Sequence, residues 1–180
     1  MANFDISFDK TMGVEGGYAH LAGDVGGRTM YGIAEKFHPH MWVNGPPTKA
    51  QAKEFYRTTF WDKLRLSDIR SQALANELFD SAVNLGLTRP VKWVQTVLNT
   101  LRREYTYRGI PWTPLKADGV LGPVSVAAIN EYTGRGLTWE KALFAALEGC
   151  QIIKYLEESQ PQFVRGHLAQ RTEQWNDPSQ

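Results

Sequence analysis

Apolar residues recur every three to four positions along most of this 180-residue chain. This spacing places them on one face of a helix, so it predicts amphipathic helices. Phe4, Phe8 and Met12 form the first such stripe, and Gly16-Gly17 follows as a helix stop. The chain is therefore predicted to be mainly α-helical.

Six further helices are predicted from the same spacing together with capping and stop residues. We expect a helix from Thr48 to about Leu64, one over 71–85 before Gly86, one from Pro90, one around Val126, one after Thr138 and one from Pro161. The segment 107–123 is rich in proline and glycine and is predicted to be a loop.

The segment from Gly23 to Gly32 is the one plausible β region. It combines glycines with polar and β-branched residues, a composition that suits turns and short strands and disfavours helix. The predicted fold is therefore mainly α, with one small β-hairpin.

Charge and cysteine content exclude several classes of protein. The chain carries 20 basic and 19 acidic residues, a net charge of +1, so it lacks the basic character of a nucleic-acid binder. Cys150 has no partner for an internal disulfide. The N-terminus has acidic residues where a signal peptide needs basic ones, and no apolar run reaches 18 residues. We expect synthesis in the cytoplasm without a signal peptide, and no stable membrane insertion.

Two acids and a hydroxyl surround the glycine-rich segment. Glu15 lies three residues beyond Met12, so we expect its carboxyl group at the inward-looking end of the first helix. Glycosidic cleavage needs a carboxylic acid that protonates the leaving oxygen, and Glu15 has a suitable setting. Asp24 or Thr29 could then orient water or stabilise positive charge on the sugar.

The glycines and tyrosines of this region are predicted to bind the polysaccharide. A sugar chain approaches a backbone closely where no Cβ intervenes, and aromatic rings offer apolar faces to sugars. The predicted binding residues are Gly16, Gly17, Tyr18, Gly26, Gly27 and Tyr31, with Trp42 as a further aromatic candidate.

Each of these residues also has a purely structural interpretation. Asp24 could cap a turn, Thr29 could be an ordinary strand residue, and Arg28 could be solvated or paired with an acid. Asp80 and Asn84, four residues apart on an apolar helix, are more typical of hydrogen bonds between core helices than of substrate contact.

Metal binding has little support in the sequence. His38 and His40 are two potential metal ligands, but no third potential ligand lies at a suitable spacing. We therefore predict no metal site and no cofactor.

The candidate site resembles the catalytic signature of glycoside hydrolase family 108. The resemblance rests on Glu-Gly-Gly-Tyr at 15–18, Asp-x-Gly-Gly-x-Thr at 24–29, Gly-Ile at 32–33 and the helix at 78–86. It implies a lysozyme-like fold with the hairpin beside the active-site cleft. It also implies an N-acetylmuramidase that cleaves between N-acetylmuramic acid and N-acetylglucosamine, with Glu15 as proton donor.

The second half is similar to the predicted peptidoglycan-binding segment attached to these enzymes, through residues 94–95, 118–123 and 163–166. The resemblance implies a catalytic region at 1–88 and a helical binding region at 89–180, packed into one compact unit.

The expected partner is the glycan strand of bacterial peptidoglycan. By family habit, the missing export signal fits a bacteriolytic phage or prophage endolysin that a holin-like partner releases, and that acts on the cell wall or in the periplasm. Two alternatives stay open: a lytic transglycosylase acting on the same bond, and a non-catalytic wall-binding or secretion-assisting protein.

Overall fold

The computed structural model describes residues 1–13, 18–19, 27–102 and 113–158. Over these ranges the protein is mainly helical with one small antiparallel sheet, which confirms the predicted fold class. The helices are α1 (Phe4–Met12), α2 (Lys49–Tyr56), α3 (Gln72–Leu85), α4 (Thr88–Arg102), α5 (Pro123–Thr133) and α6 (Leu137–Glu157), and the strands are β1 (Tyr18–Ala19), β2 (Thr29–Met30) and β3 (Ile33–Ala34).

The first helix ends earlier than predicted. Asn3 caps its start by accepting a hydrogen bond from the backbone N–H of Asp5. At the other end Gly13 takes a φ of 68°, which ends the helix at Met12, before the Gly16-Gly17 pair. Glu15 lies outside the described residues.

The capping box predicted for α2 is present. The Thr48 hydroxyl accepts from the backbone N–H of Gln51 at 3.3 Å, and the Gln51 side chain accepts from the backbone N–H of Thr48 at 2.8 Å. These reciprocal bonds satisfy two backbone donors that a helix start leaves unpaired.

The prediction that this helix continues to about Leu64 as one regular α-helix is wrong. The α-helix ends at Tyr56 and continues as a π-helical turn over Arg57–Trp61. The Thr58 hydroxyl lies in this transition and donates to the Glu54 carbonyl at 2.8 Å. Such a bond back to the preceding turn competes with the regular backbone ladder and bends helices.

The later helices are present, but two of them begin earlier than predicted. Ser71 caps α3, which ends before Gly86 as predicted. The helices predicted from Pro90, around Val126 and after Thr138 correspond to α4, α5 and α6, but α4 begins at Thr88 and α6 at Leu137, so Thr138 lies inside α6. The helix predicted from Pro161 lies outside the described residues.

The predicted hairpin is part of a three-stranded antiparallel sheet with β2 in the middle. Thr29 pairs with Ala19 on one side and with Ala34 on the other. The sheet therefore joins the chain that follows α1 to the chain that leads toward α2.

A buried aromatic cluster joins the first three helices. It consists of Phe4 and Phe8 on α1, Tyr56 on α2, Trp61 on the π turn and Phe79 on α3. Most of these rings meet edge to face at centroid distances of 5.5–6.3 Å, a favoured aromatic geometry. The cluster belongs to a core that also includes residues of α4, α5 and α6. The predicted boundary near residue 88, between a catalytic region and a binding region, stays a prediction.

The segment 118–123 forms a turn before α5. Gln95 on α4 holds this turn in place through hydrogen bonds. The fully buried Gln95 side chain donates to Asp118, to the Val120 carbonyl and to Ser125, each at 3.1 Å, and accepts from the Gly119 N–H at 3.0 Å. One side chain thus links α4 to three residues of the turn and to Ser125 on α5.

Replacing Gln95 with leucine is expected to destabilise the protein by about 1–3 kcal/mol, because it removes the hydrogen bonds from this buried side chain to the turn and leaves the buried Ser125 hydroxyl without this partner. Denaturant unfolding would measure this cost. Thr96→Ala, at the next and exposed position on α4, is the control and should change stability by less than about 0.5 kcal/mol. Equal effects would show that the turn does not depend on Gln95.

In the described ranges, no helix is both long and apolar enough to cross a membrane.

Candidate functional site

A cleft of about 370 Å³ lies at the end of α1. Four parts of the fold enclose it: the last turn of α1, the turn between β2 and β3, the α2 region and the outer face of α3. The lining residues that carry the following argument are Met12, Gly32, His38, Tyr56, Asp80 and Asn84.

The turn between β2 and β3 is held against α2 by Tyr56. Tyr31 and Gly32 both adopt left-handed conformations, with φ of 50° and 73°. The Tyr56 hydroxyl donates to the Tyr31 carbonyl at 3.0 Å. Burial raises the pKa of Tyr56 to about 12, so this hydroxyl stays protonated and remains a donor at neutral pH.

Gly32 leaves no room for a side chain. A Cβ at this position would lie 2.7 Å from the Tyr56 hydroxyl oxygen, and its φ already disfavours other residues. Gly32→Ala is therefore expected to be more destabilising than Gly45→Ala, where φ is also positive (97°) but no atom lies within 4 Å.

Left-handed strain alone should cost about 1–2 kcal/mol at Gly45, and the clash should add roughly 1–3 kcal/mol at Gly32. Equilibrium unfolding of both variants would measure the difference. Combining Gly32→Ala with Tyr56→Phe removes the clashing oxygen and should recover part of the loss. Equal costs at the two glycines would refute the close approach.

Asp80 and Asn84 form the polar wall of the cleft on α3. The Asn84 amide donates to the Asp80 carbonyl at 3.0 Å and to its carboxylate at 3.2 Å. Gln151 on α6 donates to the same carboxylate oxygen at 3.3 Å. The predicted hydrogen bond between helices is therefore present, and the same two residues also face the cleft.

His38 borders the cleft and packs edge-on against Phe55, with ring centroids 4.8 Å apart. Burial, and then the nearby His40, lower the pKa of His38, so its ring is neutral at pH 7. No group of three potential metal ligands occurs within the described ranges.

The structure shows the surroundings of three of the predicted site residues. Thr29 lies on the central strand and is partly exposed. Gly27 has a φ of 72° with open space around it, which fits close approach by a ligand. Tyr31 is partly buried against the core and supplies the carbonyl that Tyr56 binds.

The other predicted site residues lie mainly outside the described ranges. Tyr18 is described only by its backbone pairing with Met30. The residues outside are Glu15, Gly16, Gly17, Asp24 and Gly26. Their roles stay predictions.

Arg28 and Trp42 have structural partners. Arg28 makes a two-pronged ion pair with Glu35 at 2.7 and 2.5 Å. Trp42 is buried and donates to the Ile33 carbonyl at 3.3 Å, with the Arg28 guanidinium above its ring. The prediction of Trp42 as a sugar-facing ring is therefore wrong, since the ring supports the sheet from inside.

Sequence reasoning missed the cleft residues contributed by distant segments. Tyr56 was covered only by the helix predicted from Thr48, without a role of its own, and Asp80 and Asn84 were interpreted as links between helices. The signal that could have found the α3 pair is a polar pair at positions i and i+4 on an apolar helix.

Comparisons with known proteins relate this region to a family of glycoside hydrolases. Residues 8–86 match the family model described as Glycosyl hydrolase 108. The fold is similar to a solved structure described as Brucella abortus SagA, with a TM-score of 0.57 and 21% identity over 98% of both chains. No curated protein matches the chain. The matched segment contains the second half of α1, the sheet, α2 and α3, and therefore all sides of the cleft. Residues 8–86 of this chain are thus similar to the Glycosyl hydrolase 108 family.

Proposed function

We propose that this protein is a peptidoglycan hydrolase, an N-acetylmuramidase that cleaves the bond between N-acetylmuramic acid and N-acetylglucosamine. The observation that carries the proposal is the cleft at the end of α1, which lies entirely within the segment that matches a glycoside hydrolase family. The family match supports cleavage of a glycosidic bond. The peptidoglycan substrate rests on the resemblance of the Glu15–Ile33 segment to muramidases.

Glu15 is the proposed proton donor. Three peptide units separate it from Met12, which lines the cleft, and three extended residues span at most about 11 Å. This short separation supports the proposal that Glu15 reaches the cleft. A general acid of this kind works best in a partly apolar site, where the charged form of a carboxyl group is disfavoured.

Thr29 and Asp24 are the proposed second groups. Thr29 lies on the central strand, and Asp24 lies five residues before it in the chain. If Asp24 acts as a base through water, the two carboxyl groups should stand about 6.5–9.5 Å apart, whereas a nucleophile needs about 5–5.5 Å.

The cleft has the mixed chemistry that a sugar requires. Asp80 and Asn84 supply hydrogen-bonding groups on one wall, while Tyr56, Phe60 and Val83 supply apolar surface. A pyranose ring presents hydroxyl groups at its edge and C–H groups on its faces, so it can use both kinds of wall.

Mass spectrometry of the fragments released from purified peptidoglycan tests this function. A muramidase adds water, so its products should carry free reducing ends. A lytic transglycosylase would release anhydro products that are lighter by one water. Binding to the wall without any release of fragments would identify a non-catalytic protein and overturn the proposal.

We further propose that residues 89–180 help to bind peptidoglycan. We also propose that the protein acts on the wall or in the periplasm after release by a holin-like partner, as a phage or prophage endolysin does. Both proposals rest on the resemblance of the sequence. Loss of cell lysis on deletion of a co-encoded membrane-permeabilising protein would support the second one.

A further inference from the structure

The polar wall of the cleft is supported by a residue of α6. Gln151 is fully buried, and its side-chain amide donates to the Asp80 carboxylate at 3.3 Å. Asp80 lines the cleft. Helix α6 begins at Leu137, well beyond residues 8–86, which match the glycoside hydrolase model. The second half of the chain therefore contacts a cleft residue directly.

The two carboxylate oxygens of Asp80 have different surroundings. Oδ2 accepts from the Asn84 amide at 3.2 Å and from the Gln151 amide at 3.3 Å. Within the described ranges, no group donates to Oδ1. A carboxylate oxygen has two lone pairs, so the two protein donors use those of Oδ2 and leave those of Oδ1. Asp80 is only partly buried, so Oδ1 is the oxygen left for a ligand in the cleft.

Tyr155 fixes the orientation of the Gln151 amide. Its hydroxyl, one turn further along α6, accepts from the same amide nitrogen at 3.0 Å. This nitrogen has two N–H groups, so one serves Asp80 and the other serves Tyr155. Burial raises the pKa of Tyr155 to about 12, so the hydroxyl is neutral at pH 7 and adds no negative charge beside Asp80.

These contacts hold the Asp80 carboxylate before any ligand arrives. The last torsion of an aspartate side chain has broad minima, so an unsupported carboxylate samples many orientations. Here one donor, Asn84, lies on α3 and the other, Gln151, lies on α6, so the carboxylate is fixed relative to both helices. A group that is already held in its binding position loses less conformational freedom when the ligand binds.

We propose that Gln151 is a positioning residue for the cleft. Together with Tyr155 it holds the Asp80 carboxylate so that Oδ1 accepts a hydrogen bond from an O–H or N–H group of the bound glycan. The inference rests on the proposed function, because it takes a glycan as the occupant of the cleft. It gives α6 a role in the hydrolytic site itself, in addition to any role in binding the wall.

A double-mutant cycle between Gln151 and Asp80 tests this role. Values of kcat and KM for soluble glycan fragments are measured for Gln151→Leu, Asp80→Ala and the double variant. Asp80→Ala should lower kcat/KM by roughly 10- to 100-fold and Gln151→Leu by about three- to tenfold, as expected for hydrogen bonds with and without a charged group. Because Gln151 acts through Asp80, the double variant should be no worse than Asp80→Ala alone.

The loss in Gln151→Leu should appear mainly in KM. A contact that is made equally in the ground state and the transition state changes binding without changing turnover. Partial unfolding would instead reduce the amount of active protein, which lowers the apparent kcat and leaves KM unchanged. The split between the two constants therefore separates positioning from a general loss of stability.

The matched control is Gln95→Leu, the same change at another fully buried glutamine. Gln95 lies on α4 and binds the turn before α5, so its loss removes buried hydrogen bonds without touching Asp80. At a temperature at which both variants are folded, Gln95→Leu should keep the wild-type KM. An equal effect of the two substitutions on KM, or no effect of Gln151→Leu, would overturn the proposal.

Tyr155→Phe provides a second variant in case Gln151→Leu does not fold. It nearly keeps the volume of the ring and removes only the acceptor that orients the Gln151 amide. It should raise KM by about two- to threefold, and this effect should vanish when Asp80 is already alanine. An effect of the same size with and without Asp80 would show that Tyr155 and Gln151 serve only the packing of α6.

Affinity measurements separate this inference from the proposed function. Dissociation constants of the same fragments are measured for the wild type and for the Gln151 and Asp80 variants. If the wild type cleaves nothing but its affinity shows the same non-additive dependence on the two residues, the hydrolase is rejected and the positioning role is retained. Cleavage that is insensitive to Gln151→Leu would do the reverse, and absence of both cleavage and binding would overturn both.

Discussion

Replacing Glu15 with glutamine is expected to reduce turnover of purified peptidoglycan by about 10²- to 10⁴-fold, the usual contribution of a positioned general acid. Glutamine has nearly the same shape but has no acidic proton to give to the leaving oxygen. Turbidity clearing and the release of reducing ends would measure the loss. Binding to the wall should persist, because the substitution removes a proton and not a binding surface.

The control for this experiment is Glu157→Gln, the same chemical change at an exposed residue of α6, far along the chain from the cleft. It should retain full activity. Equal unfolding midpoints for the two variants would show that the loss is chemical. If Glu15→Gln cleared peptidoglycan as fast as the control, Glu15 would not be the acid.

Phe79→Ala should cause the largest loss of stability among the changes considered, about 3–5 kcal/mol, as is typical for truncating a fully buried phenylalanine. Phe79 is fully buried and packs edge-on against Phe4 at 5.9 Å, Trp61 at 5.9 Å and Tyr56 at 6.3 Å. Alanine would leave a cavity among aromatic rings that cannot easily collapse around it. Denaturant unfolding measures the effect directly.

The matched control is Phe37→Ala, at a phenylalanine that is 63% exposed. It should change stability by no more than about 0.5 kcal/mol, since little apolar surface is removed from the core. Because Phe79 links α1 with α2, and both helices border the cleft, the Phe79 variant should also lose activity at temperatures that the control tolerates. A cost below about 1 kcal/mol would show that the cluster is not the centre of this domain.

Helix boundaries set by local chemistry were predictable from the sequence. The Thr48 and Gln51 pair forms its capping box with partners three residues apart, and Gly86 ends α3. The change from α-helix to a π-helical turn after Tyr56 was not predicted. In this turn the Thr58 hydroxyl donates to the Glu54 carbonyl, and such a bond competes with the regular backbone pattern. A threonine hydroxyl in a helix can equally point to solvent, so the residue type alone does not predict this bond.

The candidate site combines features that are local in sequence with contacts between distant segments. The Glu15 motif is continuous in sequence, so its resemblance to a catalytic signature was visible. The cleft wall is not continuous. Tyr56 reaches the Tyr31 carbonyl across 25 positions, and Gln151 reaches Asp80 across 71. Such pairings depend on tertiary packing, which the periodicity of a single chain does not specify.

The most direct test of the central claim is a crystal structure of the Glu15→Gln protein with a bound peptidoglycan glycan fragment. We predict that the fragment lies in the cleft between Gly32 and the Asp80–Asn84 wall. The residue 15 side chain should then lie within hydrogen-bonding distance, about 2.6–3.2 Å, of a glycosidic oxygen. A side chain at residue 15 that points to open solvent, with the glycan bound elsewhere, would contradict the account.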